Sequence, residues 1–102
     1  MKEVTLLGLE NGKLRFSLSG EIDAPRADGF EKAVVEEYAK TPADILFECE
    51  ALEFIDSTTL GTFVKILKKV KSDGRSMSLK GLQPKIKKLF LICALDKIME
   101  IL

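Results

Sequence analysis

The sequence predicts an α/β fold: a single domain with a mixed, mostly parallel sheet, an antiparallel N-terminal hairpin and helices packed on the sheet. First, short apolar runs alternate with longer segments whose apolar residues have helical spacing, in the order β-β-α-β-α-β-α and a short last strand. Second, Asn11-Gly12 separates the first two apolar runs, which is the strongest short signal for a hairpin. Third, 102 residues with 46% hydrophobic content suffice for one core, so residues 1–102 are expected to form one domain.

The hairpin strands are predicted over residues 4–9 and 14–18. Both positions of an Asn-Gly turn take positive φ, which these two residue types tolerate. Gly20 is expected to close the second strand.

The next segment has the features of a helix N-terminus. Asp23 is a typical cap residue, and Pro25 suits the first helical turn. Thr41-Pro42 is expected to end this helix. The residues predicted to form its buried face are Ala27, Phe30, Val34 and Tyr38.

A buried strand over residues 44–50 is expected to lead to the central helix. This helix is predicted to begin at the polar cluster 56–59 and to run to about Ser72, and Gly74 supplies a glycine stop. The residues of its predicted apolar stripe are Leu60, Phe63, Val64, Leu67 and Val70.

The remaining segments complete the alternation. A short strand is predicted over residues 76–80, followed by a turn at Gly81, a helix that opens at Pro84 and a last short strand within residues 97–102. The residues expected on the buried face of this helix are Ile86, Leu89, Phe90 and Cys93.

The composition excludes several kinds of chemistry. The chain has no histidine, which removes the commonest general base, the commonest metal ligand and every Ser-His or Cys-His pair. Cys49 and Cys93 lack metal-binding spacing and are expected to be buried free thiols in a reducing compartment. We therefore expect no metal, no cofactor and no enzymatic activity. The N-terminus lacks signal-peptide features and no apolar run could span a bilayer, so the cytoplasm is the expected location.

The formal charge is zero but unevenly distributed. Residues 1–56 hold 6 basic and 13 acidic residues, whereas residues 57–102 hold 10 and 3. Nine of the basic residues lie within residues 65–88, where Asp73 is the only acid. This segment forms either a solvated surface over two helices or a surface for nucleic acid, anionic lipid or an acidic partner. No aromatic residues interleave with the basic ones, as single-strand binding would require, so we expect no direct nucleic-acid binding. We also expect no membrane partner.

The polar cluster Asp56-Ser57-Thr58-Thr59 lies where a predicted strand is followed by a helix. Asp, Ser and Thr cap helix starts, because their oxygens accept hydrogen bonds from the free N–H groups of the first turn. The same N–H groups and the helix dipole favour an anion. Ser57 is therefore either a structural cap or an acceptor for a phosphoryl group, and a site for an anionic or other small ligand is a further alternative.

The order of elements and several motifs resemble a bacterial STAS domain, and within that family the anti-sigma factor antagonists. The motifs are Gly-Glu-Ile-Asp at 20–23, Phe-Ile-Asp-Ser-Thr-Thr-Leu-Gly at 54–61, and the tail segments 85–90 and 95–98. The resemblance implies a non-catalytic switch protein whose Ser57 is phosphorylated by an ATP-binding anti-sigma factor that acts as a serine kinase. The unphosphorylated protein would bind that kinase and free a sigma factor, and a phosphatase would reset the switch.

The residues that we expect to form this turn or to contact the partner are Asp23, Asp56, Thr58, Thr59 and Gly61. The family usually has Gly at the position of Thr59. A β-branched side chain there predicts added bulk and stiffness at the docking surface, and it makes Thr58 and Thr59 alternative phosphoryl acceptors. We expect a monomer or weak dimer.

Overall fold

The five strands form one sheet whose order in space follows their order along the chain, β1-β2-β3-β4-β5. The structure, a computed structural model, describes residues 1–102. The strands are β1 (Val4–Glu10), β2 (Lys13–Ile22), β3 (Asp44–Ile55), β4 (Met77–Lys80) and β5 (Glu100–Ile101). The helices are α1 (Ala24–Lys40), α2 (Ser57–Ser72), α3 (Pro84–Ile92) and a 3-10 turn (Leu95–Lys97).

Strand directions confirm the predicted sheet. β1 and β2 pair antiparallel, whereas β2, β3, β4 and β5 pair in parallel. Each parallel connection contains a helix, as the alternation along the sequence requires. No helix combines the length and the apolar character needed to cross a bilayer.

All three helices pack on the same face of the sheet, around a cluster of phenylalanine rings. Phe47 of β3 lies at the centre, 5.7 Å from Phe16 of β2, 5.8 Å from Phe30 of α1 and 5.5 Å from Phe63 of α2, measured between ring centroids. Phe63 also contacts Phe90 of α3 at 5.4 Å. At most 1% of each of these residues is exposed, so this cluster fixes the positions of the helices on the sheet.

The hairpin turn has the predicted backbone conformation, with φ of 54° at Asn11 and 78° at Gly12. The prediction that Gly20 closes β2 is wrong, because β2 continues to Ile22. Gly20 has a φ of 68° and lies at an irregularity in the β2–β3 register. The glycine therefore bends a strand that continues past it.

β3 is also longer than predicted, since it extends past Glu50 to Ile55. The added residues pair with the end of β2, where Gly20 lies opposite Leu52 and Ile22 opposite Ile55. This pairing comes from a distant part of the chain, so the apolar pattern of β3 alone could not reveal it.

The predicted buried faces of α1 and α2 are confirmed, except that Leu60 and Val64 are only partly buried. Gly74, with a φ of 76°, follows the end of α2 as expected.

The prediction for α3 is only partly correct. Ile86 and Phe90 are buried, but Leu89 is 40% exposed and Cys93 is exposed. α3 ends at Ile92, so Cys93 lies at the C-cap and leaves the buried face. Cys49 is buried, as predicted.

Candidate functional site

The candidate site lies at the edge of the sheet where β2 and β3 end side by side. Ile22 and Ile55 are the last residues of these strands and are paired with each other. The residues that follow them, Asp23 and Asp56, are the N-caps of α1 and α2. Parallel pairing therefore brings two helix N-termini and two carboxylates to one edge, as expected for loops that follow parallel strands.

Asp56 connects the two helix starts. Its Oδ1 accepts a hydrogen bond from the Thr59 N–H at 3.0 Å, which caps α2, and its Oδ2 accepts one from the Ala24 N–H of α1 at 2.7 Å. The bond from the Thr59 N–H is the main reason why the pKa of Asp56 lies below its ordinary value, and the Ala24 N–H lowers it further. Asp56 is therefore an ionised anchor for both helices.

Asp23 does not act as the side-chain cap that the sequence predicts. It occupies the N-cap position of α1 but makes no capping hydrogen bond with its side chain. Its Oδ1 instead accepts a hydrogen bond from Arg26 at 2.9 Å, while Asp56 satisfies the first N–H of the helix. The physical reason is that Pro25 has no N–H and the Arg26 N–H already donates to the backbone carbonyl of Asp23.

Thr59 lies inside the domain. It is 0% exposed, its hydroxyl donates to the Ile22 carbonyl, and its Oγ1 lies 3.2 Å from Oδ1 of Asp56. The expectations that Thr59 adds bulk to a docking surface and offers an alternative acceptor are therefore wrong. The sequence did contain the necessary signal, since Thr59 lies four residues before buried Phe63 and thus on the same helix face.

Ser57, Thr58 and Gly61 lie on the outside of the same turn. Ser57 is the first residue of α2 and is exposed, as are Thr58 and Gly61. Because Asp56 takes the N-cap position, the interpretation of Ser57 as a plain N-cap is wrong. A β-carbon added at Gly61 would have no heavy atom within 4 Å, so the surface around it is open.

The turn exposes two hydroxyls, those of Ser57 and Thr58, beside the carboxylate of Asp56. The carboxylate of Asp56 already accepts two N–H bonds, and its lowered pKa makes it a weak proton acceptor at neutral pH. No three side chains of the types that ligate metals come together in the chain.

The sequence analysis missed an exposed apolar residue beside the turn. Phe54 is 43% exposed and, with Lys85 and Leu89 of α3, lines a groove of about 280 Å³. Alternation along the strand does not reveal it, because two exposed residues separate Cys49 from Leu52 and again Leu52 from Ile55.

The sheet carries its helices on one face, and exposed Ser57 begins the central helix. The protein is therefore a small α/β domain whose candidate site lies on its surface. Comparison with known protein families identifies the family to which this domain belongs. The sequence model of the STAS domain matches residues 9–102. The chain belongs to the STAS domain family.

The relatives are consistent with this assignment. The chain is 33% identical over 88 residues to the anti-sigma-B factor antagonist of Bacillus subtilis (strain 168). The aligned region covers 86% of this chain and 80% of the relative. The crystal structure of TM1081 from Thermotoga maritima has a TM-score of 0.84 at 25% identity, covering 96% of this chain and 82% of that one. The phosphorylated form of the Bacillus cell fate determinant SpoIIAA shares the fold, with a TM-score of 0.75 at 18% identity and coverage of 97% and 90%. The chain is thus a homologue of anti-sigma factor antagonists.

Proposed function

We propose that this protein is an anti-sigma factor antagonist that regulates transcription through phosphorylation of Ser57. In the unphosphorylated form it binds an ATP-dependent anti-sigma factor kinase and so frees a sigma factor. Phosphorylation of Ser57 by that kinase ends the binding, and a phosphatase restores the active form.

The observation that carries this proposal is that Ser57 is exposed on a turn held by the hydrogen bonds of Asp56 and Thr59. Phosphoryl transfer depends mainly on positioning and on charge stabilisation, which the partner supplies through its nucleotide, Mg²⁺ and base. The substrate protein must contribute a hydroxyl that projects and does not move. Asp56 and buried Thr59 hold the backbone on both sides of Ser57, which meets this requirement.

The proposed switch acts through charge. A phosphoserine carries about −1.5 to −2 charges at neutral pH. Before docking, this charge lies in water at the N-terminus of α2, where the helix dipole favours it. In the complex it would be desolvated next to Asp56 and the phosphates of the bound nucleotide. About 3 kcal/mol of repulsion, a modest amount for like charges at an interface, weakens binding roughly a hundredfold.

The direct test is to incubate the purified protein with its cognate kinase and ATP and to locate the phosphate by mass spectrometry. We expect modification of Ser57 and none in Ser57→Ala. Thr58→Ala is the matched control, because Thr58 is the neighbouring exposed hydroxyl, and it should be modified normally. Normal phosphorylation of Ser57→Ala would falsify the proposal.

A second test separates the charge of the phosphate from its chemistry. Ser57→Asp should bind the kinase more weakly than the wild type, while its thermal midpoint stays nearly the same because the side chain is exposed. Equal affinities of the wild type and Ser57→Asp would show that negative charge at this position does not control binding. Calorimetric titration with phosphate and nucleotides, without the kinase, tests the alternative of a ligand-binding module.

A further inference from the structure

The outer face of α2 carries a strip of exposed residues that begins at Ser57. Residues three and four positions apart lie on the same side of a helix, so Ser57, Gly61, Lys65 and Lys68 form one line along α2. All four are exposed. Lys65 and Lys68 are here called the lysine ridge.

The charges of this face are not balanced within the domain. α2 contains four lysines and no acidic residue, and among these lysines only Lys69 has a carboxylate within 4.0 Å, that of Asp73 at 3.9 Å. Like charges three or four residues apart on a helix repel each other, as do Lys65 and Lys68. The ridge therefore weakens its own helix and has no partner inside the chain.

An apolar groove runs beside the ridge. Val64, Leu67 and Ile98 line it together with Lys68 and Lys71, and its volume is about 460 Å³. Ile98 is 41% exposed. The surface thus combines positive charge with an apolar depression on the element that carries Ser57.

We propose that this face of α2, from Gly61 to Lys71, is a second docking surface that receives an acidic segment of the anti-sigma factor kinase. The inference rests on the proposed function and names the part of the partner that approaches α2. Acidic side chains of that segment pair with the lysine ridge, and its apolar side chains fill the groove beside Ile98.

Both properties of the surface favour a protein segment over other anionic partners. Phosphodiester groups of a nucleic acid would pair with the lysines but would leave the apolar groove empty. A segment with acidic and apolar residues satisfies both, because rim charges speed the encounter and buried apolar contacts slow dissociation.

The ridge and the phosphate act separately. Lys65 follows Ser57 by eight residues, or about 12 Å along the helix axis. This is longer than the screening length of roughly 8 Å at physiological salt, so the ridge does not neutralise a phosphate on Ser57. The lysines set how fast the kinase binds the unmodified protein, while phosphorylation determines its release.

The test compares association rates with the purified cognate kinase at about 50 mM and about 500 mM salt. The ridge variant is Lys65→Glu/Lys68→Glu. The matched control is Lys32→Glu/Lys40→Glu, which makes the same change in net charge on α1, where the two side chains are 76% and 71% exposed. At low salt we expect the ridge variant to associate about tenfold more slowly than the control, with the difference closing at high salt. Ile98→Asp should dissociate faster, because its carboxylate would be desolvated against the apolar side chains that fill the groove.

The outcomes separate this inference from the proposed function. If the two double variants associate equally fast while Ser57→Asp still binds weakly, the docking surface is refuted and the switch stands. If Ser57→Asp binds like the wild type, the switch itself fails. Ridge-dependent binding to a fluorescent oligonucleotide or to phosphatidylserine vesicles, tighter than to the kinase, would also overturn the inference.

Discussion

Replacement of Thr59 by valine removes one buried hydroxyl and keeps the shape of the side chain. The hydroxyl donates to the Ile22 carbonyl, and both residues are 0% exposed, so water cannot replace the lost bond without opening the turn. An unsatisfied buried acceptor costs about 1–3 kcal/mol. Each kcal/mol corresponds to about 4–8 °C in the midpoint of a domain of this size. We therefore expect Thr59→Val to unfold at a clearly lower temperature and at a lower urea concentration than the wild type.

The chain offers a matched control in the same helix. Thr62 is 3% exposed, and its hydroxyl donates to the carbonyl of Thr58, one turn back in α2. Because this carbonyl belongs to the helix, the bond from the Thr62 hydroxyl contributes little to stability. Thr62→Val should therefore change the free energy of unfolding by less than about 0.5 kcal/mol. Urea denaturation of the three proteins measures both effects. Equal stability of the two variants would refute the idea that the bond between Thr59 and Ile22 holds the turn at the start of α2.

Three further predictions concern Asp56, the cysteines and Gly61. Because the folded-state pKa of Asp56 is lowered, the carboxylate stabilises the domain fully above its ordinary pKa of about 4, and this contribution is lost as the pH falls through the lowered value. The urea midpoints of wild type and Asp56→Asn should therefore differ at neutral pH and converge below about pH 4; a constant gap would contradict this. Burial raises the pKa of Cys49 to about 12, so a thiol reagent should label only exposed Cys93 in the folded protein, and Cys93→Ser should stay unlabelled until it is denatured. Gly61→Ala should raise the free energy of unfolding by about 0.5–1 kcal/mol, because the position is helical and open. The added methyl group should also weaken kinase binding, and unchanged binding would show that Gly61 is not part of the interface.

Features that depend on a few neighbouring residues could be predicted from the sequence. The Asn11-Gly12 turn follows from the need for positive φ at two successive positions, and Gly74 marks the end of α2 for a related reason. The apolar stripes of α1 and α2 locate the core because helical periodicity is a local property.

The register between distant strands could not be predicted, although their parallel pairing was. The register that places Ile22 beside Ile55 extends β3 and brings the Ala24 N–H to the carboxylate of Asp56. Neither consequence is visible in the residues around Asp56 alone. The sequence identified Ser57 as a candidate acceptor or cap, and only the geometry of Asp56 assigned the cap to a different residue.

The spatial order of the strands leaves this sheet without a topological switch point. In open α/β sheets a small molecule binds in the crevice that forms where successive crossovers leave in opposite directions. Here every parallel crossover moves one strand further the same way, and the helices never change sides. The sheet therefore has no crevice of this kind between diverging crossovers. The proposed contact with a kinase therefore uses the turn at Ser57 and the outer face of α2 instead of a crevice in the sheet.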